Sequence, residues 1–419
     1  MGLAPATAAA SFRSGTKFFA PQARLVKEDG TPLLIDNQPV NADIISVTIT
    51  LSATGEVGQV QIVLNNQRHD AHNRPVAPIW RYNRLDTIRF GTRIRVDMRY
   101  ADEGWTAMIL ARVTNIDFWF PPGAGAQVTL NGEDFLSLLK VKPDTDYIHM
   151  DAQEIDVVDT ELSEAHAGLA LATPRPANPF TTSLPSITHE KAKTRLEFIN
   201  EMAQRMDFEV FVDFDNRTQV RDDQERGVSL HFEPSRSAGT ATPLSLLWGR
   251  DIVEFKPAFK VWDVLTAATA TGSVPRGRGG FSVNVPMDDA INDLRTGADG
   301  ATPQSAATVR ASAFAAEGRT PEANVGTVTA TNIDEERARM AAKAALRKSA
   351  RQFLTAEITT LGAPPLKPGI HVDLSGVYAP FDGVYYVTKT VHSLSAAGYS
   401  TKADLQRPGM LDPSRYPSR

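Results

Sequence analysis

Two periods of apolar residues run through this chain. Between residues 40 and 140 the apolar positions recur every second residue. Ile45, Val47, Ile49 and Leu51 alternate with Ser46, Thr48 and Thr50. Val60, Ile62 and Leu64 repeat the pattern up to Asn65-Asn66. Ile94, Val96, Met98 and Tyr100 alternate with Arg93, Arg95, Asp97 and Arg99, and Met108 to Phe118 and Gln127 to Leu130 supply two further runs. A period of two marks half-buried strands, and short strands split by turns predict an antiparallel sandwich or barrel. Further along the period lengthens. Leu196, Ile199, Ala203 and Met206 fall on one face of a helix, which runs straight into an apolar strand, Phe208 to Val212.

The last third carries the clearest pattern, a helix, a strand, a turn and further strands from Asn332 to Arg407. Asn332 is the expected N-cap, with Glu335 three residues on as in a capping box. Acidic residues in the first turn and Arg347, Lys348 and Arg351 near the end suit the helix dipole. A strand from Leu354 to Leu361 follows. Gly362, Pro364, Pro365, Leu366, Pro368 and Gly369 form a turn. Ile370, Val372 and Leu374 then alternate with His371, Asp373 and Ser375. Phe381 to His392 and Gly398 to Leu405 complete the run.

Other stretches read less clearly. Residues 141 to 185 are acidic, with Asp151, Glu154, Asp156, Asp159, Glu161 and Glu164, and then rich in Pro and Ala. Their spacing matches no EF-hand loop, so a solvated surface or loop is expected rather than a calcium site or a carboxylate pair. Trp248-Gly249-Arg250 and Phe255-Lys256-Pro257 open a β segment that continues to Ala270. Residues 272 to 331 are rich in Gly, Ala, Ser and Thr with little periodicity, which predicts a long loop or weakly ordered insertion.

The C-terminal pieces have a joint order and spacing. They are Leu366-Lys367-Pro368-Gly369, Phe381-Asp382-Gly383-Val384-Tyr385-Tyr386-Val387, Val391-His392 and Gly398-Tyr399-Ser400-Thr401. This run resembles the end of the phage late control D family, the tail hub proteins of contractile phages. That family is related to the hub part of the type VI secretion spike protein. The positions carrying the resemblance are Leu366, Pro368, Gly369, Phe381, Gly383, Tyr385, Val387, His392, Gly398, Tyr399 and Thr401. Their individual roles are structural: the glycines allow turns, and Tyr385 and Val387 are core residues. Phe90-Gly91-Thr92-Arg93-Ile94-Arg95-Val96 and Gly132-Glu133-Asp134-Phe135 resemble the family's first barrel, with Asp134 as a cap. Ala111-Arg112-Val113-Thr114-Asn115-Ile116 lacks the family's usual Gly there.

The resemblance implies a mainly β fold with α+β insertions: two antiparallel tube-like β-barrel domains and a helical or loop middle region. It divides the chain into a flexible N-terminal extension (1–30), a first barrel (31–140) and an α+β middle domain (141–240). A discontinuous second barrel (241–271 with 354–407) encloses a Gly/Ala-rich insertion and helix (272–353), and a tail (408–419) ends the chain.

Composition narrows the function. A chain of 419 residues suffices for two or three folded units. Hydrophobic content of 42% and charged content of 22% are ordinary for a soluble globular protein. The net charge of −5 gives no basic footprint for nucleic acid. The absence of cysteine excludes disulfides and Cys-based zinc sites. No apolar run is long enough to span a bilayer. Met1 to Ala10 lacks the basic start and long apolar core of a signal peptide. Export by lysis or inside a particle is therefore expected.

Chemical motifs are few and weak. Ser14-Gly15-Thr16-Lys17 has a Ser-x-x-Lys spacing without the partner motifs. His69-Asp70-Ala71-His72 offers two imidazoles and a carboxylate but no third ligand. Arg276-Gly277-Arg278-Gly279-Gly280-Phe281 is one copy of an Arg-Gly tract and reads as a linker. There is no Walker loop or dinucleotide fingerprint. No catalytic residue, cofactor or metal is expected, although carboxylate pairs for sugar cleavage can lie far apart in sequence.

The resemblance implies a structural hub of a contractile tail or injection-system baseplate. It implies a homotrimer contacting a trimeric spike protein, a hexameric tail tube protein and baseplate wedge or hub proteins. DNA or cargo would pass through the lumen without specific binding, along an axial face expected to be acidic. Because the chain ends at Arg419 without a spike domain, the spike is expected as a separate protein. Assembly in the bacterial cytoplasm, then residence in a virion tail or extracellular particle, follows from that role. The alternatives are a tail-associated cell-wall hydrolase, which a peptidoglycan assay separates, and a peripheral host-binding β module, which placement in the particle separates.

Overall fold

A computed structural model describes residues 20–69, 74–100, 103–122, 125–214, 227–235, 242–273, 280–291, 304–319, 324–330 and 333–410. The alternating segments fold as strands. In the N-terminal half these are β1 (Pro21–Val26), β2 (Ile44–Ser52), β3 (Gln59–Asn65), β4 (Arg93–Tyr100), β5 (Thr106–Trp119) and β6 (Gln127–Glu133). Val60, Ile62 and Leu64 of β3 are buried while their neighbours face outward, as period two requires. Val47, Ile49, Ile62, Leu64, Val96, Met98, Val128 and Leu130 form one core.

Next come β7 (Tyr147–Ala152), α1 (Glu154–Glu164), β8 (Leu184–His189), α2 (Arg195–Met206), β9 (Phe208–Phe214) and β10 (Val228–Pro234). Thr194 and Glu197 make a capping box at the start of α2. The strands β11 (Leu244–Leu247) and β12 (Ile252–Phe259) follow, then β13 (Ala267–Ser273), β14 (Gly280–Pro286), α3 (Met287–Ile291), α4 (Ala306–Ala316) and β15 (Val325–Ala330). The chain continues with α5 (Glu335–Arg351), β16 (Leu354–Leu361), β17 (His371–Ser375), β18 (Gly383–Ser395) and β19 (Gly398–Arg407).

The mainly β class read from the sequence holds. Twelve strands join into a single sheet in the order β1-β4-β5-β6-β3-β2-β18-β19-β16-β12, with β17 on β18 and β11 on β17. Six of these strands come from each half of the chain. The halves meet where β2 pairs antiparallel with β18, from Lys389↔Ser52 to Leu394↔Val47. The sheets do not close into the expected barrels, because β1 and β12 each pair on one side only. The free β12 edge carries blunting devices. Pro257 cannot donate a ladder hydrogen bond, and exposed Glu254 and Lys256 charge the β12 edge.

Four sequence expectations need correction. Residues 272 to 331 are not simply loop: β13, β14 and β15 form a three-stranded sheet. Their Ala, Thr and Gly content hides the alternation, since small residues barely register as apolar. α5 packs on this sheet, burying Ala338, Ala341, Ala342, Ala344, Leu346 and Ala350. The α5 cap is Asp334, which accepts from Arg337 N at 2.9 Å; Asn332 lies outside the described residues. Pro21–Val26 is a sheet strand, so the N-terminal extension expected over 1–30 does not reach Gly30. Finally, β13 leaves the large sheet, whereas the expectation put all of 241–271 in one barrel.

Candidate assembly surface and the joint behind it

Residues from the C-terminal motifs build the joint between the two halves of the large sheet. Tyr399 lies on β19 but packs in the N-terminal core, with its ring centroid 6.0 Å from that of Tyr100. Gly362 makes this possible. A Cβ there would stand 1.9 Å from Tyr399 Cδ1, so only glycine lets the ring lie flat on the backbone. Gly362 N donates to Tyr399 O at 2.9 Å, and the Tyr100 hydroxyl donates to Gly362 O at 2.8 Å. His392 Nδ1 lies 2.9 Å from Tyr399 Oη and 3.1 Å from Thr401 Oγ1, and Thr401 Oγ1 accepts from Ala363 N at 2.9 Å. Complete burial, reinforced by nearby Lys367, pushes His392 down to about 3 and keeps it neutral. His392, Tyr399 and Thr401 thus come together.

The other motif positions lie apart from that triad. Leu366, Tyr385 and Val387 are fully buried in the second core, and Pro368 is buried. Gly369 has φ 79° and donates its N–H to Val387 O at 2.9 Å. Phe381 stands edge-on to Phe255, with centroids 6.0 Å apart. Gly383 has φ 123°, with the Arg407 guanidinium against its α-carbon; that group donates to Asp382 O at 2.7 Å. Burial pushes the Tyr385 hydroxyl up to about 12. Gly398 turns the hairpin in open space. Leu366, Tyr385 and Val387 fill core space, and Gly369, Gly383 and Gly398 take backbone angles that turns need.

Lys367, in the same turn, ties three parts together. Its Nζ donates to Ala107 O on β5 at 2.8 Å and to Asp213 on β9 at 3.1 Å. The middle region is braced by further ion pairs, and here the expected solvated acidic surface or loop holds for exposed Asp156 and Asp159 but not for two of the glutamates. Glu154 and Glu161 lie on α1 and are buried. Glu154 takes two hydrogen bonds from Arg337 of α5, at 2.5 and 2.9 Å. Glu161 accepts from His149 Nε2 at 2.9 Å, from His189 Nδ1 at 3.0 Å and from Arg195. Burial alone would raise the Glu161 carboxyl, but the two histidines and Arg195 hold it below its ordinary value. Asp207 caps α2 in the left-handed region and binds Arg347 and Arg351 of α5 at 2.8 and 2.9 Å. The signal for α1 was present: Ile155, Val158 and Leu162 repeat at helical spacing.

Asp134 does cap, accepting from Leu136 N at 3.0 Å and from Gly58 N at 2.8 Å, and burial lifts its carboxyl to about 7. Ser14 and Lys17, the Asp70–His72 part of the His-Asp-Ala-His run, and Arg276 to Gly279 lie outside the described residues. Gly280 and Phe281 begin β14. Among the described residues no group of three or more His, Asp or Glu side chains is arranged to hold a metal. No described helix is long and apolar enough to cross a membrane.

The outside of this frame is rich in aromatic and aliphatic side chains. Trp119 and Phe120, at the end of β5, are about half exposed, and Phe120 stands edge-on to Trp80 with centroids 5.0 Å apart. On the opposite half, Val253, Leu361, Trp248 and Tyr378 are exposed near the free β12 edge and the β11 strand. Exposed apolar groups of this kind are the usual anchors of protein interfaces.

No family model and no curated protein matches this sequence. Solved structures do. A tail protein from Neisseria meningitidis matches with TM-score 0.58 at 12% identity, covering 95% of this chain and all of that one. The 43 kDa tail protein of prophage MuSo2 from Shewanella oneidensis matches with TM-score 0.57 at 13% identity, covering 90% and 97%. An Escherichia coli component of the type VI secretion system, described as structurally similar to tail proteins of bacteriophage T4, matches with TM-score 0.50 at 9% identity, covering 90% and 76%. The fold is thus that of phage tail and type VI secretion proteins, consistent with the family that the C-terminal motifs resemble.

Proposed function

We propose that this chain is the structural hub of a contractile tail or contractile injection system baseplate. Three copies adapt a hexameric tail tube to a trimeric spike. The observation that carries the reading is the division of the large sheet into two six-stranded halves, joined at β2 and β18. A trimer of such a chain offers six sheet units around its axis to a sixfold tube, while the threefold axis itself matches the spike. The fold shared with phage tail proteins supports the same role.

The mechanism is mechanical. The two halves must transmit load as one body when tube and spike advance. The Tyr399–Gly362–Tyr100 contacts and the Lys367 cross-tie join them, and the Glu154–Arg337 and Asp207–Arg347–Arg351 pairs fix α5 to the middle region. Stable interfaces between copies need roughly 1,200–2,000 Å² of buried surface. The exposed aromatic groups on both halves supply anchors for them. An axial face of net negative charge would let DNA or cargo slide without sticking. The reading calls for no catalytic step.

Electron microscopy of the chain reconstituted with the tube protein tests this. Averages with threefold symmetry at the spike face and six repeating densities at the tube face are expected. A chain located at the periphery of the particle would refute the reading in favour of a host-binding role.

A further inference from the structure

A cavity of about 350 Å³ lies where the middle region meets both halves of the large sheet. α2, α5 and β9 line it, together with β18, β19 and the turn that follows β2. Local irregularities of the backbone shape it. Thr388 is the extra residue of a β-bulge in β18, between Val387, which pairs with Leu405, and Lys389, which pairs with Asp404. Bulges re-aim side chains, and Thr388 lines the cavity. Its carbonyl accepts from Ala53 N at 3.0 Å, which holds Ala53 and Thr54 against the cavity. Gly55 follows at φ 78°, where a Cβ would stand 2.1 Å from Asn200 Oδ1, so glycine is needed for the Asn200 amide to fit. Asn200 Nδ2 donates to Gly55 O at 3.1 Å.

Two of the lining side chains keep an oxygen unmet. Asn200 Oδ1 and Glu209 Oε2 are buried without a hydrogen-bond partner. Buried polar atoms are nearly always paired, so two exceptions on one cavity point to a donor that binds there. The walls also restrict its charge. Asp207 is paired with Arg347 and Arg351, and Lys348 is exposed to solvent. Burial favours the protonated, uncharged form of Glu209. The remaining polar groups are neutral. Gln204 and Gln352 are exposed, Thr388 and Gln406 are half-buried, and all four can both donate and accept. Phe208 adds a half-buried aromatic ring.

We infer that this cavity binds a neutral sugar ring, either a free monosaccharide or the terminal unit of a glycan. Hydroxyls all round a compact ring both donate and accept, which matches amide and hydroxyl groups contributed by helices and strands alike. Its O–H groups meet Asn200 Oδ1 and Glu209 Oε2, and its C–H face lies on Phe208. The volume is at the small end of ligand cavities, which suits one ring better than a long chain. The site lies apart from the Tyr399–Gly362 joint and does not depend on the hub reading.

The test is ligand-observed NMR of the full-length chain with methyl glycosides of neutral hexoses and N-acetylhexosamines. Glucuronic acid and glucosamine serve as charged rings of the same size, and a glycan array presents the same sugars as chain ends. At least one neutral sugar should bind with a dissociation constant of about 1 mM, and its charged analogues more weakly. Gln204→Ala and Gln352→Ala change exposed positions, so the fold should persist, and each should weaken binding about fivefold. Amide hydrogen exchange should slow within residues 200–210 and 386–388. Binding on the array as well identifies a glycan end as the source, and binding of the glycosides alone identifies a free sugar. No neutral sugar bound in either format overturns the proposal. So do a preference for the charged rings, binding unchanged in both glutamine variants, or protection that falls elsewhere.

Discussion

Glu209 makes an unusual demand on the middle region. It lies on β9 directly across from Glu233 on β10, the two carboxylates facing the same side of a two-stranded sheet. Glu209 is 8% exposed, and its Oε2 has no hydrogen-bond partner. Burial lifts its carboxyl to about 7, with Glu233 and Asp207 adding repulsion, while a Tyr386 hydrogen bond and the Arg351 charge act the other way. His231 stands two residue pairs along, on the same face, stacked on Phe211. In the unfolded chain Glu209 titrates near 4.5. The folded state thus favours the protonated acid. Its stability is full below the unfolded value and falls as pH rises toward 7, beyond which a constant penalty remains. At about 1.4 kcal/mol per tenfold change in proton affinity, that penalty is about 3 kcal/mol. Glu209→Gln keeps the shape and cannot ionise. Urea unfolding of both proteins from pH 5 to pH 9 reads the effect. The variant should gain about 2.5 kcal/mol on the parent between pH 5 and pH 8, and the gain should then level off. Any constant offset reports only the exchange of OH for NH₂. A difference that stays flat with pH, or one that grows in the parent's favour, would refute the reasoning.

Three further substitutions address the frame. Gly362→Ala forces a methyl into the Tyr399 ring, and should destabilise the chain by about 2–3 kcal/mol in urea titrations. Tyr399→Phe removes the hydroxyl beside His392 Nδ1 and should cost about 1–2 kcal/mol, clearly less than Gly362→Ala. Arg337→Ala leaves Glu154 buried without its partner and should cost about 3–5 kcal/mol, whereas the double change Glu154→Met with Arg337→Leu should recover most of that loss.

Much of the fold was legible because the strands of the large sheet alternate cleanly. Leu354–Leu361 shows it well: Leu354, Ala356 and Ile358 are buried and alternate with half-buried Thr355, Glu357 and Thr359, and only at the end does the pattern slip, with Thr360 buried and Leu361 exposed. Three features were hidden, each for a physical reason. β13 to β15 consist largely of small residues, so burial there leaves little hydropathy contrast. Glu154 and Glu161 read as solvated because a sequence does not display their partners: Arg337 lies 183 residues from Glu154, and His189 and Arg195 lie beyond an intervening strand and loop. The joint is the same problem at greater range, since Tyr100 and Gly362 are 262 positions apart. The C-terminal motif positions were read as structural, but that Tyr399 belongs to the N-terminal core depends on the β2–β18 pairing.

The central claim concerns assembly, so the deciding measurement is the native mass of this chain co-expressed with the spike and tube proteins of its own particle. The hub account predicts a complex containing three copies of this chain. A monomer that binds neither partner would contradict it.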